Sequence, residues 1–141
     1  MDLTPVTSPP EAQRALLPNP LLIDFPPTGF LNDGVSSDPA IGAAFKADPL
    51  KADQISVSTG AQTVAGMAYA GYNAKNFTKP TLVLHGNNDG VVPVELGINW
   101  FNAVGSPDNH MVIFEGLKHE IMNETSRNQV IDTAIGWLDQ H

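Results

Sequence analysis

The chain has 141 residues, of which 42% are apolar and 16% charged, the balance of a globular chain with one core and not of a disordered one. With 7 Lys and Arg against 15 Asp and Glu the formal net charge is -8, which argues against phosphate-backbone binding and so against a nucleic-acid partner. The absence of cysteine excludes disulfide frameworks, thiolate metal sites and a cysteine nucleophile, and leaves the redox compartment open.

The first residues, Met1-Asp2-Leu3-Thr4-Pro5, form neither a basic n-region nor an apolar h-region, and no stretch approaches the roughly 18 apolar residues of a spanning helix. The expectation is a cytoplasmic protein with no transmembrane segment. Two sequons, Asn76-Phe77-Thr78 and Asn123-Glu124-Thr125, are then chance matches. Of the 12 prolines, 9 fall within residues 1–49, so long regular elements are not expected there. Leu16, Leu17, Leu21, Leu22, Ile23, Phe25, Phe30 and Leu31 interrupt them and make the segment too hydrophobic for a free linker. It is expected to lie packed over something.

Asp38-Pro39 has the form of an N-cap followed by Pro at N1, and Ile41, Ala44 and Phe45 follow at helical spacing, which predicts a short helix to about Ala47. A second helix is predicted from Ser58 to about Tyr72, with Val64, Ala65, Ala68, Tyr69 and Tyr72 on one stripe. After Lys79-Pro80, the apolar run Thr81–Leu84 ends in Gly86-Asn87-Asn88-Asp89-Gly90, a buried strand entering a turn. Pro93 opens a helix through about Val104, Met111–Phe114 makes a second strand, and a last helix is predicted from about Asn123 to Asp139. It carries Val130, Ile131, Ala134, Ile135 and Leu138 on one stripe. This order is an α/β fold, a βαβα unit whose strands should run parallel through a right-handed crossover. Two strands alone make a poor sheet, so flanking strands are expected on physical grounds.

Open parallel sheets collect functional groups in loops at the carboxyl ends of their strands. Asp89 follows the first strand and His119 follows the second, so adjacent parallel strands would bring their loops to one edge. A carboxylate accepting from the imidazole Nδ1–H would leave Nε2 free to take a proton from a nucleophile. Asp89 also reads as ordinary turn chemistry, and a lone loop histidine as a solvated or capping one. A metal reading of His85, Asp89, His110 and His119 lacks ligand spacing. Trp100, Phe101 and Trp137 read as core residues.

Lys79-Pro80-Thr81-Leu82-Val83-Leu84-His85-Gly86-Asn87-Asn88-Asp89-Gly90-Val91-Val92-Pro93, then Phe114-Glu115-Gly116-Leu117-Lys118-His119-Glu120-Ile121-Met122-Asn123-Glu124, resembles the C-terminal portion of monoacylglycerol lipases, lysophospholipases and related serine hydrolases. Ser36-Ser37-Asp38-Pro39 and Phe45-Lys46-Ala47-Asp48-Pro49-Leu50 resemble the cap region of that family, and the match runs from about residue 31 to 141. The resemblance implies the C-terminal part of an α/β-hydrolase fold behind a cap or lid segment, with 1–78 the cap and 79–141 the core portion. It implies Asp89 as triad acid and His119 as triad base, ester hydrolysis of a single-chain lipid or short ester, and no metal or organic cofactor.

The departure lies in the nucleophile. The family's Gly-x-Ser-x-Gly elbow does not occur. Ser56-Val57-Ser58-Thr59-Gly60 imitates it around Ser58 without a preceding strand pattern, and His85-Gly86 imitates the early oxyanion loop in letters only. The chain is therefore expected to be inert alone. It is either a lipase portion with acid and base only, or a non-catalytic module that pairs with a separate N-terminal half.

Overall fold

The computed structural model describes residues 35–50 and 56–141. The expectations placed on the proline- and leucine-rich stretch before residue 35 lie outside them. Helix α1, Pro39–Ala47, begins as Asp38-Pro39 foretold: the Asp38 carboxylate accepts the Ala40 amide at 2.8 Å, with Pro in the first turn. Helix α2, Val57–Asn73, is capped by Ser56, whose Oγ accepts the Thr59 amide at 3.0 Å. A short 3-10 turn, Ala74–Asn76, follows it.

Strand β1 (Thr81–Gly86), helix α3 (Val94–Ala103), strand β2 (Asn109–Phe114) and helix α4 (Arg127–Leu138) complete the order. The strands are parallel, in register from Thr81 opposite Asn109 to Gly86 opposite Phe114, so the βαβα unit forms as expected. Both strands are longer than their apolar runs. β1 takes in His85 and Gly86, and β2 starts two residues before Met111 at polar Asn109 and His110, because ladder bonds continue where side-chain hydropathy stops. The last helix starts later than Asn123: Ile121–Asn123 is a separate 3-10 turn, closed by the Asn123 amide on the Glu120 carbonyl at 2.7 Å.

The packing departs further from expectation. Of the apolar residues described, only Val35, Ala74, Val104, Phe114 and Val130 are buried. The stripe drawn along α2 faces solvent at Val64, Tyr69 and Tyr72, and that along α4 at Ile135 and Leu138, while Val130 is fully buried. α3 reaches α2 through Trp100, whose indole donates to the Ala70 carbonyl at 3.3 Å and tilts against Phe77. A periodic apolar stripe marks a face that needs cover; the two described strands are too little sheet to cover it. Between α2, β1 and α3 lies an open apolar cavity of about 480 Å³, walled by Met67, Gly71, Val83, His85, Leu96 and Trp100 among others. Trp100 thus lines a cavity where a core position was expected.

Candidate active site

The two loops that follow the strands are stitched together by backbone geometry. The Asn87 amide donates to the Phe114 carbonyl and the Asn88 amide to the Leu117 carbonyl, each at 3.0 Å. The Asn87 side chain donates to Glu115 Oε2 at 2.6 Å and accepts the Gly116 amide at 2.7 Å. Gly116 has φ 78°, the left-handed backbone that turns the second loop back toward the first. Gly86 is needed for a different reason: a Cβ there would run into the Leu117 carbonyl.

Asp89 and His119 meet across this seam. His119 Nδ1 donates to Asp89 Oδ2 at 2.9 Å. The other carboxylate oxygen, Oδ1, accepts the amides of Val91 and Val92, both at 2.8 Å. The Asp89 side chain is 4% exposed and that of His119 38%, so a buried acid holds a reachable ring. Burial alone would raise the Asp89 carboxyl. The Val92 amide, the His119 ring and the Val91 amide all favour its charged form, and together they hold it below its ordinary value. With Nδ1–H committed to Asp89, His119 presents Nε2 as the acceptor, and this atom has no hydrogen bond to any described residue.

His85, whose side chain lies on the cavity side of β1, stands beside the pair: its Nε2 is 3.9 Å from Asp89 Oδ2, beyond hydrogen-bond distance. Its Nδ1 donates to the Gly86 carbonyl at 2.8 Å, which sets its tautomer. His110 lies elsewhere, edge-on to His141, and His141 stacks on Trp137 with ring centroids 4.0 Å apart. Ser58 is exposed within the first turn of α2, on regular helical backbone. Among the described residues no non-glycine has positive φ, the mark of a strained turn.

Two residues that hold the site together were not picked out by sequence reasoning. Asn87 belongs to a turn whose letters promise only a turn. Glu124 is 2% exposed, with Oε1 accepting the Lys118 amide and Oε2 the Ser37 amide, both at 2.9 Å. A glutamate five residues after the histidine carries no periodic signal that would mark it as buried.

The family described as "Serine aminopeptidase, S33" matches residues 4–126. The chain is 34% identical to a monoacylglycerol lipase of Mycolicibacterium smegmatis over 110 residues, 77% of this chain and 39% of that protein. It is 39% identical to phospholipase YtpA of Bacillus subtilis over 62 residues, 44% of this chain and 24% of that one. The solved monoacylglycerol lipase of Paleococcus ferrophilus superposes with TM-score 0.73 at 24% identity, over 91% of this chain and 51% of that one. A soluble variant of monoglyceride lipase from Saccharomyces cerevisiae, in complex with a substrate analog, superposes with TM-score 0.69 at 28% identity, over 84% and 43%. The chain spans about half or less of each of these proteins.

Proposed function

Because the chain belongs to the serine aminopeptidase S33 family of α/β-hydrolases, we propose that it is the acid- and base-bearing portion of a carboxylic ester hydrolase of monoacylglycerol lipase or lysophospholipase type. Asp89 is the acid and His119 the base. Residues 79–141 belong to the catalytic core and residues 1–78 to its cap. The observation that carries this reading is the 2.9 Å bond from His119 Nδ1 to a buried Asp89 carboxylate, with Nε2 left as an accessible proton acceptor.

The chemistry follows from that geometry. A serine hydroxyl attacks the ester carbonyl while His119 Nε2 takes its proton; the same nitrogen returns the proton to the leaving alkoxide, and a water repeats the cycle on the acyl-enzyme. Asp89, charged and fixed by two amides, orients the imidazole and stabilises the imidazolium formed at each step. The substrate is a monoacylglycerol or another single-chain lipid or short ester, in keeping with the lipase and phospholipase relatives. We assign the serine to a Gly-x-Ser-x-Gly elbow outside the 141 residues, because Ser58 sits on a plain helical turn.

A second reading, that the chain is a non-catalytic module pairing with a separate N-terminal half, is favoured by one observation. Large apolar side chains at Met67, Leu96 and Ile113 stay exposed beside the two strands found among the described residues and an open apolar cavity. Incubating the purified chain with a short-chain ester and with a fluorophosphonate probe tests the first reading. Neither turnover above buffer nor serine labelling is expected, and co-expression with the elbow-bearing half of a family member should bring both. Labelling of the chain alone would overturn the assignment of an external nucleophile and point to Ser58. An assembled complex that is unreactive would favour the second reading.

A further inference from the structure

His119 is aimed by its bond to Asp89 and, with its side chain 38% exposed, by the loop backbone that carries it. That backbone is anchored one residue earlier, where the Lys118 amide donates to Glu124 Oε1 at 2.9 Å. The other oxygen of the same buried carboxyl group accepts the Ser37 amide at 2.9 Å, from a segment 87 residues away in sequence. Further bonds follow the same seam. Ser36 Oγ donates to the Asn123 carbonyl at 3.0 Å, the Glu120 amide donates to the Val35 carbonyl at 2.7 Å, and Lys118 Nζ reaches the Ser36 carbonyl at 3.5 Å. The Asp38 amide in turn donates to Ser36 Oγ at 3.0 Å, next to the N-cap of α1.

We infer that Glu124 is the positioning residue of the base: its buried side chain ties the His119 loop to the segment that leads into α1. The inference rests on the reading of His119 as base. Glutamate suits the position because both of its partners are donors. A glutamine would turn an NH₂ toward one of the two amides whichever way it flipped, and an apolar side chain would leave both part-buried amides without this acceptor. Displacement of Ser36–Ser37 is transmitted through Glu124 to the backbone beside His119, so the entry to α1 and the aim of the base are mechanically joined.

The test is nuclear magnetic resonance of the full chain labelled at histidine nitrogen, following exchange of the His119 Nδ1 proton against the amides of β1 and β2. In Glu124→Gln we expect that proton to exchange at least about tenfold faster, the consequence of one lost hydrogen bond to the buried carboxyl group, while the strand amides and the His110 signal hold. A merely structural glutamate would speed the strand amides in parallel. Unchanged His119 exchange in a folded Glu124→Gln overturns the inference. Should that variant fail to fold, Ser36→Ala decides. It loosens the same seam without touching the buried carboxyl group, and is expected to speed the same proton; no change overturns the inference. Asp89→Asn separates the two levels. If it leaves His119 unmoved, the acid–base reading fails; if it moves His119 and Glu124→Gln does not, the role of Glu124 fails.

Discussion

Asp89 and His119 stand 30 residues apart in sequence, and a single 2.9 Å hydrogen bond joins them because β1 and β2 are parallel neighbours that end together, Gly86 opposite Phe114. In an assembled enzyme, Asp89→Asn should lower kcat on the order of 10⁴-fold, the effect of losing the carboxylate that sets the ring's tautomer. His119→Ala should lower it at least as far. Both variants should still assemble with the elbow-bearing half. Steady-state ester hydrolysis with co-purification as the control checks this, and full activity in either variant removes the acid–base assignment.

Gly86→Ala is expected to strike the site through the backbone. The new methyl meets the Leu117 carbonyl, and the loop that must retreat is the one leading to His119. Overpacking of this kind costs about 1–3 kcal/mol. Urea titration should register that loss together with a disturbed His119 signal. Gly66, where an added Cβ meets nothing within 4 Å, is the matched control and should gain slightly from Gly→Ala in mid-helix.

Two groups give stability opposite dependences on pH. Asp89 is held below its ordinary value, so its contribution is complete above the ordinary carboxylate range and is lost as pH falls through the lowered value. His141 is raised above its ordinary 6.5, chiefly by the Trp137 carbonyl on Nδ1 and further by Asp108 on Nε2. Both ring nitrogens face acceptors, so the charged ring is the one that fits. Its contribution is complete below the ordinary value and is lost as pH rises through the raised one. Thermal melts across pH should lose the acid limb's extra slope in Asp89→Asn and the loss on the alkaline side in His141→Phe. Superimposable profiles would contradict both assignments.

Exposed apolar faces should govern the solution behaviour. Met67, Leu96, Ile113, Ile135 and Leu138 are all exposed, and β1 and β2 are the only strands among the described residues. An open sheet of this kind recruits further strands. At micromolar concentration the isolated chain should self-associate, and co-expression with an elbow-bearing half should restore a defined species. Sedimentation showing a cooperatively folding monomer would mean that the chain covers these faces itself.

Much of this was legible before any coordinates. The start of α1 at Asp38-Pro39, the four elements after residue 79 and the pairing of Asp89 with His119 follow from capping, hydropathy and the topology of parallel sheets. The strand ends at His85, Gly86, Asn109 and His110 were not legible, because ladder hydrogen bonds ignore side-chain polarity. The stripe of α2 misled because periodicity marks what would be buried against cover, and among the described residues nothing covers Val64, Tyr69 and Tyr72.

Local order alone therefore placed an acid and a histidine after successive strands, because short-range rules of caps, turns and periodicity act within a few residues; their reading as acid and base came from the resemblance. Tertiary structure alone decided what holds them. Asn87 bridges two loops, Glu124 joins the amides of Ser37 and Lys118, and Gly86 gives way to the Leu117 carbonyl. Each of these roles depends on a partner brought near only by folding. Burial of a polar side chain is decided by the donors that surround it, and those donors are backbone amides that every residue type but proline carries.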